Sequence, residues 1–202
     1  MEKLAIVIFQ ERKIMEEKLF QIVDKCWKGC QIIALDANGS ARGMVILWNP
    51  LEVIFQDWMA SPRILTRRFH YVGMNKLVFL TTLYGPSTTG DKILFLDQLM
   101  ATIGDSLWVV GSDFTLIRSL NDKRGGVRRL APTWASFDRY IELLHLVDIP
   151  IINGIHTWNN SHGGKHQIAS WLDRFLLSEG VLHRDVFVVV TIFLVLDWII
   201  GS

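Results

Sequence analysis

A chain of 202 residues that is 50% hydrophobic can bury one sizeable core, and its length points to a single domain rather than two. With 21 Lys and Arg against 20 Asp and Glu the net charge is +1, which excludes a global field for a polyanionic partner and leaves any nucleic-acid surface to a local patch. Cys26 and Cys30 sit four apart on an expected helix with no His or Cys close by, so they are read as reduced thiols of an intracellular protein rather than a metal pair.

The run Leu4–Phe9 is too short for a signal peptide and has no small-residue cleavage site, so it reads as a strand. Ile14, Leu19, Ile22 and Val23 recur near helical period and predict a helix over Lys13–Lys25. Apolar runs rich in Val, Ile, Phe and Trp then predict strands at Gln31–Leu35, Gly43–Trp48, Glu52–Gln56, Ile64–Tyr71 and Leu77–Leu83. A second helix is expected over Lys92–Ile103, with Ile93, Leu96, Leu99, Met100 and Ile103 inward, followed by a strand at Leu107–Gly111. A third helix is expected over Trp134–Leu144, then strands at His156–Trp158, Trp171–Leu176 and Val186–Leu196. The last run stops at Asp197, short of the roughly 20 apolar residues of a membrane helix, so no membrane span is expected. Closely spaced early strands and helix-separated later ones predict an α/β (α+β) sandwich of two packed sheets with helices outside.

Chemistry concentrates at Trp108-Val109-Val110-Gly111-Ser112-Asp113-Phe114-Thr115, where an apolar strand ends in a glycine and delivers one carboxylate to the rim of a sheet. Ser170-Trp171-Leu172-Asp173-Arg174-Phe175 embeds Asp173 among apolar residues, where a carboxylate needs a metal, a cation or hydrogen bonds. Glu11 also follows an apolar run, and Glu11 and Asp113 are expected at adjacent strand ends facing one cleft. Seen singly, Glu11 is equally the exposed start of a helix, Tyr84 a core aromatic with a wet hydroxyl and Asp113 a turn cap.

In order along the chain, Gln10-Glu11-Arg12-Lys13, Leu83-Tyr84-Gly85-Pro86, Gly111-Ser112-Asp113-Phe114-Thr115, His156-Thr157-Trp158-Asn159 and Ser170-Trp171-Leu172-Asp173-Arg174 resemble motifs of the endonuclease/exonuclease/phosphatase superfamily. Val109-Val110-Gly111, Leu116-Ile117-Arg118, Lys123-Arg124-Gly125-Gly126, Trp158-Asn159 and Leu172-Asp173-Arg174-Phe175-Leu176 look most like the endonuclease domain of plant LINE-type retrotransposon polyproteins. The resemblance spans Leu4 to Asp185 and implies a two-sheet sandwich of the DNase I type. It also implies a Mg²⁺-dependent (or Mn²⁺-dependent) phosphodiesterase that nicks DNA and leaves a 3′-hydroxyl to prime reverse transcription. By the resemblance Glu11 is the metal ligand, Tyr84 touches the scissile phosphate, Asp113 activates or orients water, Thr157 contacts phosphate and Asp173 belongs to the network behind. A nuclear location is implied by the same likeness.

Several positions depart from the family pattern. Thr115 stands where the family has asparagine, and Thr82 stands two before Tyr84 where the family has another. The family's first strand, with its active-site asparagine, has no counterpart ahead of Glu11. No histidine follows His183, whereas the family ends in a serine-aspartate-histidine motif, and the tail diverges from about residue 186. The expectation is therefore a single domain over residues 1–202, monomeric and of impaired activity. The alternatives are a catalytically dead DNA-binding or functionless remnant, or a phosphomonoesterase of the same superfamily. Arg63, Arg67, Arg68, Lys123, Arg124, Arg128 and Arg129 supply the local positive charge that a DNA backbone needs.

Overall fold

A computed structural model describes residues 6–11, 25, 27–35, 43–61, 63–86, 88–102, 107–127, 133–150 and 156–182. In chain order these form β1 (Ile6–Glu11), β2 (Gln31–Leu35), β3 (Gly43–Trp48), β4 (Val53–Ser61), β5 (Ile64–Tyr71), β6 (Lys76–Tyr84), α1 (Thr89–Thr102), β7 (Leu107–Asp113), β8 (Lys123–Arg124), α2 (Thr133–Leu143), β9 (Leu146–Ile149), β10 (Trp158–Asn159), β11 (Ala169–Ser170), β12 (Asp173–Ser178) and α3 (Glu179–Leu182). The expected Lys13–Lys25 helix, apart from helical Lys25, and the Val186–Leu196 strand lie outside the described residues.

The strands β4, β5 and β6 form an antiparallel meander. The crossover through α1 then sets β7 parallel to β6, as a parallel neighbour requires a long connection. Antiparallel β12 and β9 complete a six-stranded sheet in the order β4-β5-β6-β7-β12-β9. A second sheet has the order β1-β3-β2, and a small third sheet joins β10, β11 and β8.

Strand alternation splits the interior into two cores, one on each face of the six-stranded sheet. Trp108 and Val110 of β7, Leu83 and Leu176 of its neighbours β6 and β12, and Ile64 of β5 meet Phe95, Leu96 and Leu99 of α1 and Phe137 and Ile141 of α2. On the other face Val53, Phe69, Leu80 and Val109 meet Ile46 and Trp48 of β3 and Ile6 of β1. Trp48 contacts Phe69 edge-on at 5.5 Å between ring centroids, fastening the two sheets. The two-sheet sandwich with flanking helices is therefore the observed architecture, with one sheet narrower than the other. Among the described residues no helix is long and apolar enough to cross a membrane.

Several expectations shift. Helix α1 turns Phe95, Leu96 and Leu99 inward while Ile93 and Met100 are exposed, so its buried stripe is rotated from the one expected. The strand expected at Trp171–Leu176 begins at Asp173, and β9 was not anticipated. Cys30 follows the turn before β2 instead of lying on a helix.

Arg67, expected at a DNA-facing surface, is buried at 2% exposure. It faces the second core because β5 alternates and its neighbours Leu65 and Phe69 on that face are buried too. Its Nε and Nη1 have no hydrogen-bond partner among the described residues, and burial pushes its pKa down to about 10. A buried guanidinium with two of its three nitrogens unpaired opposes folding. Arg67→Met, which keeps the volume and removes the charge, is accordingly expected to raise the unfolding free energy by about 1–3 kcal/mol in a denaturant titration. A lower midpoint at unchanged slope would show that Arg67 has a stabilising partner after all.

Candidate active site

The register of the large sheet brings three of the expected residues side by side. Tyr84, the last residue of β6, pairs with Asp113, the last of β7, and Asp113 pairs with Asp173, the first of β12. Residues paired in register share one face, so the phenol and both carboxylates project from that face at one end of the sheet, with the carboxylate-bearing Cα atoms roughly 4.5–5.5 Å apart. This is the face that packs against the second sheet, since Val109 lies two pairs below Gly111 on the same alternation. Asp113 is 6% exposed.

Each neighbour of Asp113 is fixed for a physical reason. Gly111 lies under the Phe175 ring, where a Cβ would overlap it. Gly85 lets β6 and β7 converge: its N–H donates to the Asp113 carbonyl at 2.8 Å, and a Cβ there would overlap the Phe114 carbonyl. Phe114 is fully buried against Phe137, which anchors the end of β7 from below. The Asp113 carboxylate accepts the Thr115 N–H at 2.8 Å. Lys92 of α1 donates to the Thr115 carbonyl at 2.8 Å; burial lowers its pKa, and the charge of Asp113 opposes that shift.

The remaining expected residues come from elsewhere in the chain. The Thr157 hydroxyl accepts the N–H groups of Leu172 and Asp173, at 3.0 and 2.9 Å, and so sets where β12 starts while keeping its own proton to donate. Glu11 ends β1 opposite Gly43, so it belongs to the second sheet, not to a strand adjacent to β7. Trp48, at the other end of that pairing, packs beside Val53, and the turn after Trp48 reverses the chain into β4.

Thr115 has φ +53°, a left-handed backbone that β-branched residues rarely adopt and asparagine tolerates. Its hydroxyl donates to the Pro86 carbonyl at 2.7 Å. Of the expected basic patch, Arg63 and Arg124 are exposed and Lys123 is half-buried, Arg68 pairs with Asp57, and Arg128 and Arg129 lie outside the described residues.

Sequence reasoning missed the ionic cluster on the opposite face of β12. Arg174, at 1% exposure, pairs with both Asp122 and Asp148, and Arg118 pairs with Asp138 and, at 3.4 Å, with Asp148. The Arg174 guanidinium also stacks 4.3 Å over the Trp171 ring. Alternation along Leu172-Asp173-Arg174 was the available signal: if Asp173 faces the site, Arg174 must face away and needs buried acids.

No protein-family model and no curated protein matches the sequence. Solved structures do match. The endonuclease domain of TRAS1, a telomere-specific non-LTR retrotransposon, superposes with a TM-score of 0.58 at 15% identity over 89% of this chain and 75% of that one. D. rerio TDP2 complexed with single strand DNA product gives 0.56 at 12% identity over 87% and 72%. ANGEL2, a 2′,3′-cyclic phosphatase, in complex with adenosine-2′,3′-vanadate gives 0.59 at 11% over 87% and 70%. This chain has the endonuclease/exonuclease/phosphatase fold. At such identities the likeness is one of fold.

Two carboxylates in register repel one another unless a cation or donors intervene. Hard oxygen donors at that separation suit a hard divalent cation, with water and a substrate phosphate completing its shell. Among the described residues no group of three or more His, Cys, Asp or Glu side chains is placed to hold a metal ion, so these two carboxylates would do so only together with water and substrate.

Thr115→Val keeps the β-branch and removes the hydroxyl that holds Pro86, and is expected to lower stability by about 1 kcal/mol. Thr115→Asn exchanges that bond for a relaxed backbone and is expected to melt no lower than the native chain. Calorimetric unfolding of both checks this; equal melting of Thr115→Val and native protein would mean that the Pro86 bond contributes nothing.

Proposed function

We propose that this protein is a divalent-metal-dependent phosphodiesterase that nicks DNA, of the LINE retrotransposon endonuclease type, with a reduced hydrolytic rate. The observation that carries the reading is the register row Tyr84, Asp113 and Asp173 at one end of the large sheet. DNA as substrate is supported by two fold neighbours, a retrotransposon endonuclease domain and TDP2 with a single strand DNA product.

Asp113 and Asp173 are the residues that would hold Mg²⁺ or Mn²⁺, and Glu11 is the ligand that the family resemblance adds. When bound, the ion supplies charge neutralisation at the phosphate oxygens. Asp113, oriented by the Thr115 N–H, accepts the proton of the attacking water as its oxygen bonds to phosphorus, while the P–O3′ bond breaks and the departing 3′-oxygen takes a proton from solvent. Tyr84 donates its phenolic hydrogen to a phosphate oxygen, and Thr157 fixes the start of β12 so that Asp173 faces Asp113.

The reduced rate follows from Thr115. Its hydroxyl is spent on the Pro86 carbonyl and so does not stabilise charge developing on phosphate, a role worth about 10²–10³ in rate for a well-aimed donor. Plasmid nicking in Mg²⁺ is therefore expected to be slow for the native chain, abolished in Asp113→Ala and Asp173→Ala, and at least about tenfold faster in Thr115→Asn. Robust native nicking that survives Asp113→Ala would rule out this site.

A further inference from the structure

The phase of the ladder at the start of β12 leaves Asp173 with two backbone groups to place. The Phe114 amide donates to the Leu172 carbonyl at 3.1 Å, a bond of the β7–β12 ladder, so the next pair, Asp113 with Asp173, is of the kind that exchanges no backbone bonds. The N–H and C=O of Asp173 therefore point away from β7, toward the side where β9 runs. There β9 pairs with β12 from Phe175 to Ser178 and does not reach back to Asp173. Backbone groups held away from water need partners, and here side chains supply both. The Thr157 hydroxyl accepts the Asp173 amide at 2.9 Å, and the Trp171 indole Nε1 donates to the Asp173 carbonyl at 2.7 Å.

The indole is itself held in place. The Arg174 guanidinium, at 1% exposure, stacks 4.3 Å over its ring. Asp122 pairs with that guanidinium and also accepts the Trp171 amide on its backbone carbonyl at 2.7 Å, while Asp148 of β9 pairs with Arg174 as well. An indole fixed in this way presents its one N–H in one direction. With the peptide on each side of Asp173 bonded, the backbone dihedrals of that residue are restrained, and so is the direction in which its carboxylate leaves the strand.

We propose that Trp171 is a positioning residue for the carboxylate pair: its indole N–H, clamped by Arg174, holds the Asp173 peptide so that the Asp173 carboxylate can share a divalent cation with Asp113. The inference rests on the metal-dependent reading above and adds to it a residue that acts through Asp173. Losing a partner that orients a metal-binding side chain typically costs about 10–100-fold in metal affinity.

Trp171→Phe tests the role, because a phenyl ring keeps the stack on Arg174 and loses the N–H. Calorimetric titration of the whole chain with Mn²⁺ is expected to show about tenfold weaker binding by this variant, at a melting temperature close to that of the native chain. Plasmid nicking in Mg²⁺ should fall about tenfold in kcat with KM for plasmid unchanged. Arg174→Lys keeps the charge but not the flat guanidinium over the ring. In EDTA its Trp171 indole proton, followed by NMR, should exchange with solvent roughly tenfold faster than in the native chain. Because Arg174 acts through the indole, Trp171→Phe combined with Arg174→Lys should bind Mn²⁺ no more weakly than Arg174→Lys alone. Should Arg174→Lys fail to fold, Trp171→Phe decides the matter by itself. Native-like Mn²⁺ binding by Trp171→Phe, unchanged indole exchange in Arg174→Lys, or additive losses in the double variant would each overturn the proposal and leave the nuclease reading standing. Absence of Mn²⁺ binding by the native chain would end the metal reading, and this role for Trp171 with it.

Discussion

The pairing of Asp113 with Asp173 is the constraint around which the rest of the fold is arranged. Two like charges held opposite each other on neighbouring strands are unfavourable in isolation, and a fold that keeps them must restrain both strands from slipping apart. The restraints are visible on each side. Gly85 and Phe114 tie the end of β7 to β6 and to the α2 core, and the Thr157 hydroxyl catches the first two amides at the start of β12.

Arg174 completes this arrangement from behind. Because strand side chains alternate, the residue after Asp173 must enter the opposite layer, and there the guanidinium meets Asp122 and Asp148. Asp122 in turn accepts the amides of Arg118 and Ser119 in the segment that follows the site, at 2.6 and 3.0 Å. One buried arginine thus links β12, β9 and the loop after β7. Buried ion clusters of this kind contribute little net stability compared with apolar packing, and their value lies in fixing one arrangement. Here that arrangement is the register that sets Asp173 opposite Asp113.

Much of this was legible in the sequence, and the limits have physical causes. Gln31–Leu35, Gly43–Trp48 and Ile64–Tyr71 appear with the expected bounds because they are apolar β-branched or aromatic runs between turn residues. The four-residue β9 and the two-residue strands β8, β10 and β11 are too short to carry a period. Asp113 announced itself as an acid after an apolar run and a glycine. That it faces Asp173 did not, because strand register is a long-range property that no local window contains. The burial of Arg67, the left-handed backbone of Thr115 and the approach of Lys92 likewise depend on which strands and helices become neighbours. The misjudged face of α1 shows the same limit: with apolar residues on several sides, Phe95 and Ile93 compete for the core, and the sheet beneath decides.

The central claim is that Asp113 and Asp173 act together as an oxygen donor pair for a divalent cation. The most direct measurement is the thermal shift of the native chain in millimolar Mn²⁺ or Mg²⁺ beside that of Asp113→Asn and Asp173→Asn. A cation that binds only the folded pair raises the melting temperature by mass action, so the native chain should gain stability with increasing metal while each variant gains little. A shift of equal size in both variants would contradict the claim and place the metal elsewhere.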